Sequence, residues 1–122
     1  MRSLGMDLGA STVKLVLLQG GTVEQQWMAV HHGRPFACLR DGLAQLGLAP
    51  EEELAVCVTG SNAEALLERE PDLAQLGDIP AIVEGVRSMV PGAGSVIEIG
   101  SQGARFITGL QGRAPQFAAN EH

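Results

Sequence analysis

With 122 residues, 45% of them apolar and 18% charged, the chain has the composition of one folded domain, large enough to bury a core without disulfide or metal staples. Its formal charge of −6 argues against partners that recruit Lys and Arg, namely nucleic acid and anionic membrane surfaces, and no basic stripe interleaved with aromatics is present. It contains no run of about 18 apolar residues and no signal-peptide pattern, so the expectation is a soluble, cytoplasmic protein with no membrane partner.

Leu4, Met6 and Leu8 alternate with smaller or polar residues, 15–18 form a continuous apolar run, and 23–30 extend again after Gly20-Gly21. A Gly-Gly link between such runs is a hairpin signal, so the first thirty residues read as a three-stranded antiparallel meander. Pro35 then opens a helix with Phe36, Leu39, Leu43 and Leu46 on one face, closed by Gly47. Residues 54–58 have the unbroken apolar character of a buried, often parallel, strand that ends at Thr59-Gly60. The spacing of Ser61 and Glu64 predicts a capping box for a second helix carrying Ala65, Leu66 and Leu67. Asp78 and Pro80 begin a third helix whose stripe is Ile82, Val83, Val86, Met89 and Val90, broken by Pro91-Gly92-Ala93-Gly94. Residues 95–99, 104–110 and 114–118 form a second meander, turned by Gln111-Gly112.

The predicted order is βββ-α-β-α-α-βββ, an α/β arrangement in which a ribonuclease-H-like lobe is followed by the first meander of another such lobe. Residues 1–91 make the first lobe and 92–122 the truncated start of the second, with the junction at 91–94. A bare three-stranded sheet is marginal alone, so the second meander is expected to pack back on the first lobe or to pair with another copy through an open edge.

Two stretches share one design. In Gly5-Met6-Asp7-Leu8-Gly9-Ala10-Ser11-Thr12-Val13-Lys14, and again in Val96-Ile97-Glu98-Ile99-Gly100-Ser101-Gln102-Gly103, a short apolar strand carries an acid that is followed by glycine and a small residue before the next strand. Such a turn lets backbone N–H groups crowd around a phosphate without interference from Cβ, while the strand-end acid can orient hydrated Mg²⁺. The bland alternative is an ordinary hairpin with a solvated acid.

At these residues the chain resembles the activators of 2-hydroxyacyl-CoA dehydratases, the BadF/BadG/BcrA/BcrD-type ATPases of the actin, sugar-kinase and heat-shock-chaperone superfamily. The similarity runs over nearly the whole length, through the first hairpin, Val58-Thr59-Gly60-Ser61, the third helix, the second hairpin and the tail Gln116-Phe117-Ala118-Ala119-Asn120-Glu121-His122. His32-Gly33-Arg34-Pro35 and Glu98 are closer to the large fused members than to the stand-alone activators. The resemblance implies an activase that couples Mg·ATP hydrolysis to low-potential electron transfer from a [4Fe–4S] cluster onto a CoA-thioester dehydratase or reductase component, which can lie in the same polypeptide. It also implies a homodimer and places the cluster ligands beyond this stretch, in the full-length parent.

Carried over by position, Asp7 and Glu98 are the implied catalytic acids, holding Mg²⁺ through water. Gly9, Ala10, Ser11 and Thr12 make the first phosphate loop, Gly100, Ser101 and Gln102 the second, and Lys14 faces either phosphate or solvent. The chain departs from the family at Ser101, where a second glycine is usual, at Gly103 in place of an acid, and at Arg105 in place of Lys. These departures keep open a non-hydrolytic nucleotide-binding or interaction module, and the superfamily keeps open a sugar- or acetate-kinase half. By itself this stretch, without adenosine-binding segments, is not expected to hydrolyse ATP.

Cys38 and Cys57 match no zinc spacing and read as buried free thiols. His31 and His32 read as a solvated strand end, 51–53 as a solvated acidic loop, Thr59-Gly60 as a strand-to-helix turn, and Trp27 and Met89 as core.

Overall fold

The computed structural model describes residues 2–49, 51–100 and 103–121. It is α/β, as expected, and divides into two compact units, Met1–Gly77 and Asp78–His122.

In the first unit β1 (Arg2–Leu8), β2 (Thr12–Gln19) and β3 (Thr22–Val30) form the expected meander. Gly20 and Gly21 both take positive φ, 56° and 85°, the two-residue turn that matches strand twist. Pro35 sits in the first turn of α1 (Pro35–Leu46), and Gly47 ends the helix in the left-handed region, its N–H donating to the Ala44 carbonyl. The chain then returns as β4 (Ala55–Thr59), parallel to β1, and α2 (Ala63–Arg69) leads to β5 (Ala74–Gln75), parallel to β4. The sheet order is β3-β2-β1-β4-β5. The sequence does not anticipate β5, because two residues cannot display an alternation.

Strand periodicity decides the two faces. Leu4, Met6 and Leu8 of β1 join Val13, Leu15 and Leu17 of β2 and Val58 of β4 in a core closed by Cys38, Leu39 and Leu46 of α1 and Ala63 and Leu66 of α2. Each such Leu or Val contributes about 1.5–3 kcal/mol by leaving water. Trp27 packs against this core, as expected. The same alternation turns Gly5, Asp7 and Lys14 to the opposite face.

In the second unit β6 (Ser95–Gly100), β7 (Gly103–Thr108) and β8 (Gln116–Glu121) form an antiparallel sheet in that order. Its apolar side is not left bare. Helix α3 (Asp78–Met89) lays Ile79, Ile82, Val83 and Val86 against Val96, Ile107 and Leu110. By packing, α3 thus belongs with the second sheet, ahead of the junction that Pro91 suggests. Arg87 fastens it further, donating from Nε to the Leu110 carbonyl at 2.7 Å and from Nη2 to the Gly112 carbonyl at 2.7 Å. Met89 lies outside this stripe at 74% exposure, which corrects its reading as core. On the other side of the sheet Ile97, Ile99 and Phe106 are exposed.

Candidate functional site

The first hairpin is built by register. Asp7 stands opposite Lys14 on β2 and opposite Thr59 on β4, at the ends of three neighbouring strands. Its carboxylate is 40% exposed, and Lys14, 51% exposed, brings Nζ to 3.8 Å from Oδ2. In this structure Lys14 therefore faces the Asp7 carboxylate.

Between the strands the turn is closed by the Gly9 N–H, which donates to the Thr12 carbonyl at 2.9 Å. A Cβ at Gly9 would stand 3.2 Å from that carbonyl, tight enough to demand movement of the turn. Gly60 is more constrained still. Its φ is +103°, and a Cβ there would overlap the Leu8 carbonyl and come within 2.7 Å of Asp7 Oδ1. Thr59-Gly60 is the expected turn from β4 toward α2, and Gly60 also forms part of the wall around the acid.

Two further residues reach the turn. His31 is buried at 7% exposure, not solvated, and its Nε2 lies 2.9 Å from the Gly9 carbonyl. Asn62 donates from Nδ2 to the same carbonyl at 2.9 Å. Asn62 is also the N-cap of α2, yet its side chain makes no cap bond, and the Ser61–Glu64 capping box is not formed. The sequence carries no local signal for either contact, since the partners lie far apart in the chain.

The second hairpin is described in part, because Ser101 and Gln102 lie outside the described residues. Glu98 pairs across the strands with Arg105, whose Nη1 is 3.5 Å from Oε2, and Arg105 also holds Asp78 Oδ2 at 3.1 Å. A Cβ at Gly100 would stand 3.2 Å from Glu98 Oε1. One guanidinium thus serves two carboxylates, Glu98 and Asp78 at the start of α3, and Glu98 Oε2 is buried without a hydrogen-bond partner among the described residues.

Among the described residues no group of three or more His, Cys, Asp or Glu could hold a metal ion, and no helix is long and apolar enough to cross a membrane. Both cysteines are free thiols, Cys38 buried in α1 and Cys57 half-buried on β4. Burial pushes the Cys38 thiol above its ordinary range, with Asp41 adding to the shift. The 51–53 run is not wholly solvated, because Glu52 Oε2 pairs with Arg2 Nη1 at 2.6 Å.

No protein-family model and no curated protein matches the sequence. Solved structures do. The activator of 2-hydroxyisocaproyl-CoA dehydratase from Clostridium difficile, with bound ADPNP, matches with a TM-score of 0.80 at 25% identity, over 99% of this chain and 46% of that one. Component A of (R)-2-hydroxyglutaryl-CoA dehydratase from Acidaminococcus fermentans matches with a TM-score of 0.83 at 22% identity, over 99% and 48%. This chain has the actin-like ATPase fold of the dehydratase activators. The ethanolamine utilization protein EutJ from Carboxydothermus hydrogenoformans also matches this chain, with a TM-score of 0.62 at 20% identity, over 99% of this chain and 50% of that one. The chain spans about half the length of these solved structures.

Proposed function

We propose that this chain supplies the first nucleotide-phosphate loop of an ATP-dependent activase that drives a 2-hydroxyacyl-CoA dehydratase or a related CoA-thioester enzyme, with electron transfer from an iron–sulfur cluster as the coupled step. The observation that carries the reading is the Asp7 carboxylate at the end of β1, flanked by Gly9 and walled by Gly60 where side chains would intrude. The likeness to an activator solved with ADPNP supports the choice of ligand.

The site's chemistry fits Mg·ATP. A strand-end carboxylate beside an open glycine turn suits a hydrated hard cation, and bound Mg²⁺ would neutralise phosphate charge. In this reading Asp7 orients the ion through water, the 9–12 turn offers N–H groups to phosphate oxygens, and Lys14 exchanges Asp7 for phosphate. Hydrolysis then relies on positioning and charge neutralisation rather than on a covalent intermediate. Glu98, Gly100, Ser101 and Gln102 are assigned the corresponding roles in the second hairpin. The thiols of Cys38 and Cys57 do not fit as cluster ligands, the first being buried within α1 and the second standing on β4 between Gly5 and Ala74 in the sheet.

One observation favours a second reading, a nucleotide-binding module that does not hydrolyse. The Arg105 guanidinium already stands 3.5 Å from Glu98 Oε2 and competes with a metal cation for that acid. The test is Asp7→Asn in the full-length protein. Mg·ATP-dependent electron transfer is expected to vanish while the thermal midpoint stays within about 2 °C, because the exposed ion pair with Lys14 adds little stability. Wild-type turnover by this variant would sink the assignment, and Mg·ADPNP binding without hydrolysis by the wild type would select the second reading.

A further inference from the structure

We propose that His31 and Asn62 are positioning residues for the first phosphate loop, acting together as a clamp on the Gly9 carbonyl. The inference rests on the reading of residues 9–12 as a nucleotide-phosphate loop.

The ring state of His31 follows from its neighbours. The Gly33 N–H can only donate, and it meets Nδ1 at 3.0 Å, so Nδ1 carries no proton and Nε2 carries the one that goes to the Gly9 carbonyl. The ring is held in that pose by the 31–33 turn, in which His32 and Gly33 take φ of 50° and 79° and the Arg34 N–H donates to the His31 carbonyl at 2.8 Å. Asn62 fills the other acceptor position of the same oxygen. An N-cap Asn that turned to its own helix would contribute about 1 kcal/mol there, so its use at Gly9 is a diversion from helix stability.

Backbone bonds from the same two residues complete the arrangement. The His31 N–H donates to the Ser11 carbonyl at 2.9 Å, and the Asn62 N–H to the Leu8 carbonyl at 2.8 Å. The consequence lies in peptide geometry. A trans peptide is planar, with its N–H opposed to its C=O, and the described chain has no cis bond. Holding the Gly9 carbonyl toward His31 and Asn62 therefore aims the Ala10 N–H away from them, and holding the Ser11 carbonyl aims the Thr12 N–H likewise. Both amides are thus set in direction before any anion arrives, which spares the loop the ordering cost that a mobile turn would meet on binding.

The test uses the full-length protein and Mg·ADPNP, titrated at a temperature well below every variant's thermal midpoint. Asn62→Asp keeps shape but sets a carboxylate oxygen against the carbonyl, and His31→Asn keeps an acceptor for the Gly33 N–H but no longer reaches Gly9. Each is expected to weaken Mg·ADPNP binding about tenfold, the effect of one lost hydrogen bond. His31→Gln, whose amide nitrogen reaches as far as Nε2, is expected to restore binding to within about threefold. Amide exchange at Gly9, read without nucleotide, is expected to quicken about tenfold in Asn62→Asp while Leu15 stays protected. Binding by Asn62→Asp equal to wild type, with unchanged exchange at Gly9, overturns the clamp. Should His31→Asn not fold, Asn62→Asp decides alone. Failure of the wild type to bind Mg·ADPNP overturns the nucleotide reading itself, and the two failures are told apart by which protein shows them.

Discussion

Gly60 and the Asp7 carboxylate occupy adjoining space with nothing to spare: a methyl group on Gly60 would stand 2.7 Å from Asp7 Oδ1 and overlap the Leu8 carbonyl. Backbone on one side and the proposed ion-orienting group on the other leave no flexible neighbour to move aside. With φ at +103°, a side chain there is strained as well as crowded. Gly60→Ala is expected to cost about 3 kcal/mol or more in a denaturant titration and to abolish nucleotide binding in whatever fraction stays folded. A loss below about 1 kcal/mol would show that the wall around Asp7 is soft.

Lys14 and Asp7 form an ion pair at 3.8 Å between half-exposed groups, which is worth roughly 0–1 kcal/mol. Lys14→Met is accordingly expected to leave the chemical-denaturation midpoint almost unchanged while weakening Mg·ADPNP binding. A full kcal/mol of destabilisation with intact binding would make the lysine structural and remove it from the proposed site.

Gly42 lies in the middle of α1, where glycine is ordinarily a liability, yet a Cβ there would come within 2.6 Å of Trp27 Cε3 and 2.7 Å of Leu15 Cδ1. Alanine gains about 1 kcal/mol of helix propensity and loses about 1–3 kcal/mol to overpacking. The expected net result is a less stable protein. Gly42→Ala together with Trp27→Leu is expected to recover part of the loss, and a double-mutant cycle in urea measures the coupling directly.

Cys38 supplies a dependence on pH. Its thiol is raised in the folded state by burial first and by Asp41 second, so the native protein holds the neutral form more strongly than the unfolded chain does. The stability this contributes is complete below the thiol's unfolded value of about 8.5 and is lost as pH climbs from there through the higher folded value. Unfolding free energy is expected to fall above about pH 8.5, and Cys38→Ala to flatten that decline. In native protein, iodoacetamide is expected to label half-buried Cys57 well before buried Cys38. Equal labelling rates would contradict the burial of Cys38.

The sequence by itself determined the strands of the two meanders and β4, the Gly20-Gly21 turn and the place of the acid, but not the two-residue β5. Leu4, Met6 and Leu8 alternate with Gly5 and Asp7, and a period of two carries that alternation directly into a buried face and an open one. Gly20-Gly21 and Gly47 likewise announce conformations that other residues avoid, and the stripe of α3 announces a buried face without naming what covers it. What only tertiary structure decided are the contacts between distant residues. His31 and Asn62 meet Gly9 across 22 and 53 positions, although in sequence His31 reads as part of a solvated strand end and Asn62 only follows Ser61, the expected helix cap. α3 packs against Ile107 and Leu110 of its own unit, which no local pattern specifies. The physical reason is range. Periodicity and φ preference act within a turn or a strand, whereas a carbonyl's hydrogen-bond partners are whichever donors the finished sheet and helices bring within 3 Å.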